Sequence, residues 1–252
     1  MRAERAEQSP RRSPTRCHPS RGRTTCDGQS ADRSALEGDL RSERFATALI
    51  QSAFSGTWLA DALSEIGRFD QAIGHAEAAV LAEEADHPYT LSTELIALGL
   101  THLRRADLPR ATRVLERGLD LSHTWQIKAL YFVAATLGVA YALAGQADEA
   151  LQLIVGPLEE FCRRPIHFRP ALVPLCAARI YLSAWQIKEA ANHAREALAL
   201  TRRLGARGSE AHALYLTGDV ATTGSIEDAE GYYRQALALA EPRGMRPLNP
   251  RR

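Results

Sequence analysis

Between Tyr131 and Leu158 the apolar residues keep a helical spacing that is interrupted once. Leu137 and Tyr141 stand four positions apart, as do Ile154 and Leu158, and Gly145 lies between the two stretches. Residues four apart share a helix face. A glycine between two such stretches predicts a helix C-terminus that enters the left-handed region and turns. The segment therefore reads as two helices joined by a short turn. Gly138 and Ala150 are small where the paired helices come closest, and Leu137, Tyr141, Ile154 and Leu158 form the apolar wedge between them.

The pattern recurs along the chain. The alanine early in the second helix returns as Ala72, Ala111, Ala150, Ala190 and Ala229, at intervals of 39, 39, 40 and 39 residues. The small residue of the first helix returns as Ala60, Gly99, Gly138, Ala178 and Gly218, at intervals of 39, 39, 40 and 40. Between the columns sit Gly67-Arg-Phe69, Ala106-Asp-Leu108, Gly145-Gln-Ala147, Trp185-Gln-Ile187 and Gly224-Ser-Ile226, each with an apolar third member. Leu-Gly-x-x-Tyr followed by Ala-x-x-x-Ile is the grammar of a tetratricopeptide repeat. HEAT-type helix pairs share the period near 40, but not this spacing. The expected fold is all-α: a right-handed α-solenoid of about five tetratricopeptide hairpins over residues 41–241. A period above the usual ~34 residues implies longer connections or an extra helical turn. Asp86-His87-Pro88, Ser122-His123-Thr124, Arg164-Pro165-Ile166 and Gly205-Ala206-Arg207-Gly208 are the expected connections.

Outside the repeats the pattern changes. Residues 1–40 are rich in Arg, Ser, Pro and Thr, with hardly an aliphatic side chain before Leu36, and are expected to be a disordered tail. Residues 41–52 read as a helix packed on the first hairpin, with Ser55-Gly56 expected to break it from the helix that carries Trp58. Residues 242–252 read as a C-terminal tail with no capping helix. The stripe Tyr233, Ala236, Leu237 and Ala240 is then left uncovered, which implies end-to-end self-association.

Charge removes other classes. A net charge of +1, with 24% charged residues, gives no basic surface for nucleic acid or an anionic membrane. No apolar run approaches the roughly 18 residues of a membrane span. The four cysteines, Cys17, Cys26, Cys162 and Cys176, lack CxxC spacing and fit free thiols in a reducing cytoplasm. Neither a phosphate-binding loop nor Gly-x-Gly-x-x-Gly nor His-Glu-x-x-His occurs, so no catalytic residue, cofactor or metal is expected. His75 and His193 share one surface position of the second helix. His102 takes the packing slot held by Tyr141 and Tyr181. The pairs Glu83-Glu84, Asp148-Glu149 and Glu159-Glu160 fit solvated helix faces.

The first helices of tetratricopeptide hairpins line a concave face. Counting back from the small-residue column puts Ile96, Leu100, Leu103, Phe132, Val139, Leu172, Leu175, Arg179 and Leu182 in that groove. The Lys/Asn set of the chaperone-tail carboxylate clamp is missing. An apolar groove with one arginine suits an amphipathic helix or a neighbouring domain. The sequence thus points to a non-catalytic scaffold for a protein or peptide partner.

The phrases Ser55-Gly-Thr-Trp58-Leu-Ala-Asp-Ala-Leu, Gly67-Arg-Phe-Asp-Gln-Ala72, Val114-Leu-Glu-Arg-Gly-Leu119 and Tyr232-Tyr-Arg-Gln-Ala-Leu-Ala-Leu-Ala240 carry a further likeness. They resemble the C-terminal repeat region of bacterial signalling proteins that place a class III nucleotide cyclase domain and a predicted ATPase domain ahead of it. The resemblance covers about four-fifths of the chain, from Arg41 to Leu248. It implies a regulatory fragment that acts only with those catalytic domains. Cyclase activity does not carry over, since no residues match the catalytic or phosphate-binding segments.

Overall fold

A computed structural model describes residues 51–77, 87–127, 130–163 and 169–246. The expected tail (1–40), most of the expected helix 41–52, Glu83-Glu84, Arg164-Pro165-Ile166 and Cys17 and Cys26 lie outside them. The described residues form ten α-helices and no strand. They pair into five hairpins: α1 (Gln51–Glu65) with α2 (Phe69–Ala76), α3 (Pro88–Arg104) with α4 (Leu108–Thr124), α5 (Leu130–Leu143) with α6 (Ala147–Arg163), α7 (Leu172–Ser183) with α8 (Ile187–Leu204), and α9 (Arg207–Ala221) with α10 (Ile226–Ala240). Each hairpin packs on the next, as in a solenoid. The main core runs through hairpins two to four, around Leu115, Val133, Leu137, Ile154 and Ile180.

Both periodic columns do what their residue types imply. Ala72, Ala111, Ala150 and Ala190 are fully buried and Ala229 nearly so. A methyl group on Gly99 would stand 2.5 Å from Leu115, and one on Gly218 would stand 2.6 Å from Tyr233, so these glycines let the two helices of a hairpin close up. Gly138 serves the neighbouring repeat as well. Its Cβ would lie 2.7 Å from Ile180 Cδ1 on α7 and 3.4 Å from the Ala150 carbonyl on α6.

Four of the five turns are one structure repeated. Gly67, Ala106, Gly145 and Trp185 have φ of 77°, 62°, 83° and 58°. The next N–H donates to the carbonyl five residues back at 2.9 Å in each: Arg68 to Leu63, Asp107 to His102, Gln146 to Tyr141 and Gln186 to Tyr181. The left-handed residue is what lets this bond close the helix end. Ala106 and Trp185 adopt it despite their side chains, which costs each about 1 kcal/mol. The fifth turn is built differently, since Ser225 bonds back to Ala221 and its hydroxyl accepts from the Asp228 N–H to cap α10.

The period near 40 comes from longer helices. α3, α4 and α6 have 17 residues and α8 has 18. Ser122-His123-Thr124, expected in a connection, completes α4. Only Gly205-Ala206 links α8 to α9, because Arg207-Gly208 already belong to the helix. Nor do Ser55-Gly56 break a helix, since α1 runs through them. Their weak helix preference is outweighed by the burial of Leu59, Ala60 and Leu63 against Ala72 and Ala76.

The C-terminal end departs most from expectation. After α10 a single 3₁₀ turn, Glu241–Arg243, leads through Gly244 (φ 67°) and reverses the chain. Met245 then packs on Ala211, Ala240, Tyr215 and Leu239 and is only 5% exposed. A thioether side chain covers part of the face that was expected to stay open, so an uncovered stripe no longer argues for end-to-end association. Ala236 and Ala240 are buried within the chain itself.

Candidate functional site

The first helices of hairpins one, two, four and five converge on a concave centre. Trp58, Asp61 and Glu65 come from α1, Arg104 from α3, Leu172 and Leu175 from α7, and His212 from α9. Arg169 enters from the segment ahead of α7. Together they border a cavity of about 320 Å³. Asp61 and Glu65 are four residues apart and share one face of α1.

The charges in this centre are paired across the array. Arg104 donates to Asp61 Oδ1 at 2.7 Å, to Ser64 Oγ at 2.6 Å and to the Glu65 carboxylate. Arg169 reaches Asp61 Oδ2 at 3.1 Å, and its guanidinium lies 5.1 Å from the centre of the Trp58 ring. His212 Nε2 meets Glu65 Oε2 at 2.8 Å, linking residues 147 positions apart. The backbone N–H of Arg246 donates to the Glu65 carbonyl at 3.1 Å. Hairpin one is thus tied to hairpins two, four and five.

Burial by itself would raise the Asp61 pKa, but Arg169 and Arg104 outweigh it and hold the carboxyl well below the ordinary carboxylate range. Glu65 is lowered too: burial and the Asp61 charge oppose this, and Arg104 and His212 prevail. Burial disfavours the Arg104 cation, yet Glu65 and Asp61 raise its pKa. At neutral pH the centre is a set of mutually compensated charges beside apolar walls.

The nine positions read from the sequence divide into four groups. Ile96, Leu100 and Phe132 are 4, 8 and 4% exposed and belong to the main core. Leu103 and Val139 are partly buried against that core, and Leu182 packs on Ala178, Ala194 and Leu216. Leu172 and Leu175 reach the concave cavity. Arg179, expected as a lone charge, is paired with Asp219 at 2.8 Å, and the Tyr233 hydroxyl donates to the same carboxylate at 2.7 Å.

Trp58, Asp61, Glu65, Arg104, Arg169 and His212 escaped the sequence reading. A signal for three of them was present. Asp61 follows the small residue of its repeat by one position, and Glu65 and Arg104 follow theirs by five, one helical turn further along the same face. The apolar stripe of the middle repeats is a stronger signal, and it belongs to the core.

Other candidate groups have ordinary roles. His102 is 5% exposed, and burial lowers its pKa. His193 stacks on Tyr181 with ring centres 5.4 Å apart. Cys162 is exposed, while burial pushes the Cys176 thiol up to about 12. Among the described residues no group of His, Cys, Asp and Glu could hold a metal ion, and no helix is long and apolar enough to cross a membrane.

No protein-family model and no curated protein matches the sequence. Solved structures do match the fold. Bacillus thuringiensis PlcR, in complex with the peptide PapR7 and DNA, is 14% identical with a TM-score of 0.59, covering 76% of this chain and 70% of that one. BtubC (BKLC) from P. vanneervenii is 19% identical with a TM-score of 0.57, covering 87% of this chain and 92% of that one. A putative kinesin light chain from Podosopora anserina with nearly identical TPR-like repeats is 17% identical with a TM-score of 0.48, covering 74% of this chain and 93% of that one. At these identities the likeness to PlcR and BtubC concerns the fold alone, and it agrees with the helical hairpins, periodic columns and repeated turns described above, which make the chain a tetratricopeptide-like α-solenoid.

Proposed function

We propose that the protein is a non-catalytic scaffold that holds a peptide or a segment of a partner protein against its concave face. The observation that carries this reading is the cavity of about 320 Å³, where first helices from four hairpins bring paired charges and the apolar side chains of Leu172 and Leu175 to one place. A partner segment gains affinity there by burying an apolar side chain beside the leucines, while the surrounding ion pairs select for charge. Of the groove residues, Leu172 and Leu175 face this partner, and Leu103, Val139 and Leu182 extend the surface where they are partly exposed. The PlcR structure contains a bound peptide. That is a precedent for the fold, and it lends the reading support without naming a ligand for this chain.

Affinity capture on the immobilised protein, run beside a Leu175→Glu variant of unchanged helicity, tests the proposal. A protein retained by the parent chain and lost from the variant supports the concave site. Equal retention by both overturns it.

The regulatory-fragment reading is a second proposal. It rests on the phrases around Trp58 and Tyr232 that resemble cyclase-associated repeats. A cyclase or ATPase reading frame directly ahead of this one would favour it.

A further inference from the structure

Successive hairpins are joined by apolar packing, whereas hairpins one and five meet in another way. Among the described residues, no helix of hairpin one packs along a helix of hairpin five as successive helices do. Among the described residues their junction includes the His212 to Glu65 pair, the Arg246 N–H to the Glu65 carbonyl, and the close approach of the reversed C-terminal segment to the first turn. In that approach Gly67 lies against the Arg246 side chain, and Gly244 lies against Ile66. These contacts are largely polar, as is the neighbouring tie from Asp61 to Arg169. The pair between His212, 26% exposed, and Glu65, 21% exposed, lacks the buried apolar area of a packed helix interface. Glu65 and His212 also border the concave cavity, so the groups that join the ends are the groups at its wall.

We propose that hairpins one and five form a latch that gates the concave site: closed, as here, it shuts the cavity from one side, and it opens without unfolding any hairpin. The inference concerns regulation of the site proposed above and rests on that reading for its biological meaning. Its physical content, a reversible opening between two ends, is independent of any ligand. Local openings of this kind draw on the weakest interface of a structure. The helices on either side keep their own cores around Leu59 and Leu63 at one end and Leu214 and Ala236 at the other.

The test uses the full chain with Cys17, Cys26 and Cys162 changed to Ser, and needs no partner. Cysteines at the exposed positions Gln71 on α2 and Gln235 on α10 carry spin labels that report the distance between the ends. In a second protein Leu175→Cys reports access to the cavity through its rate of reaction with a maleimide. His212→Ala combined with Met245→Ala should lengthen and broaden the label distance and speed the thiol reaction about tenfold, at unchanged helicity. Raising salt to about 1 M, where screening acts over about 3 Å, should move both readouts the same way in the parent sequence. The salt arm keeps the proposal testable where the double variant fails to fold. An unchanged distance and an unchanged rate in salt would overturn the latch. Such a failure leaves the capture experiment on Leu175→Glu untouched, so the two readings fall separately.

Discussion

The interior between the helices and the concave centre are both held by close contacts, but they are built on opposite plans. Between the helices each repeat contributes the same kind of residue to the same place: Gly99, Gly138 and Gly218 in one column, and fully buried alanines in the other. In the centre, among the described residues, the contributions are unlike: two carboxylates from hairpin one, a guanidinium from hairpin two and another from just ahead of hairpin four, an imidazole from five, and none from three. Packing repeats because the distance between helices repeats. Charge compensation does not repeat, since it needs unlike groups to meet from unlike places. The lesson is that periodicity reports the fold, while departures from it report where the array becomes one particular protein.

Removing one charge from the centre should give the largest effect. Asp61→Ala leaves Arg104 and Arg169 without their shared carboxylate and should cost about 3 kcal/mol, read from the denaturant midpoint. A cost below about 1 kcal/mol would place the centre with exposed ion pairs and erase the contrast drawn here.

Acid should act on the centre before the core. Asp61 and Glu65 titrate below their unfolded values, so the stability they contribute is present above about pH 4 and is lost as pH falls through their folded pKa values. A melting temperature followed from pH 7 downwards should stay level and then fall below about pH 4, less steeply in Asp61→Asn.

The core answers to volume. Gly138→Ala gains about 1 kcal/mol of helix preference but drives a methyl group against Ile180 Cδ1 and the Ala150 carbonyl, for a net loss of about 1 kcal/mol. Adding Ile180→Val removes the obstructing carbon, so the double variant should recover most of the loss. Additive losses would mean that the glycine is held by something other than this contact.

The smallest expected change is a gain. Ala106→Gly relieves a left-handed residue at φ 62° and should stabilise by about 0.5 kcal/mol, whereas Gly145→Ala at the same point of the next repeat should destabilise by about 1 kcal/mol.

The fold was legible because its determinants are local and repeated. Two columns of small residues and a turn with a left-handed residue define a hairpin within some 40 residues, as Gly138, Gly145 and Ala150 do. Register on the helix surface was harder to read. Ile96, Leu100 and Phe132 are apolar at positions a groove would use, but burial between neighbouring first helices claims them. The concave centre was less visible still, because Asp61 depends on Arg169 more than a hundred residues later and Glu65 on His212 later again. Met245 was hidden for another reason: a single methionine covers the end of α10 through a chain reversal at Gly244, with no helix to announce it.

The junction of the first and fifth hairpins also changes how the molecule bears a load. An open array pulled from its two ends stretches like a spring, each hairpin tilting a little on the next at low force. With the ends clasped, the same array is a hoop, and tension between hairpins one and five is carried first by the clasp. Force applied there should therefore rise steeply over a short extension, drop once as the clasp parts, and only then follow the gradual lengthening of a spring.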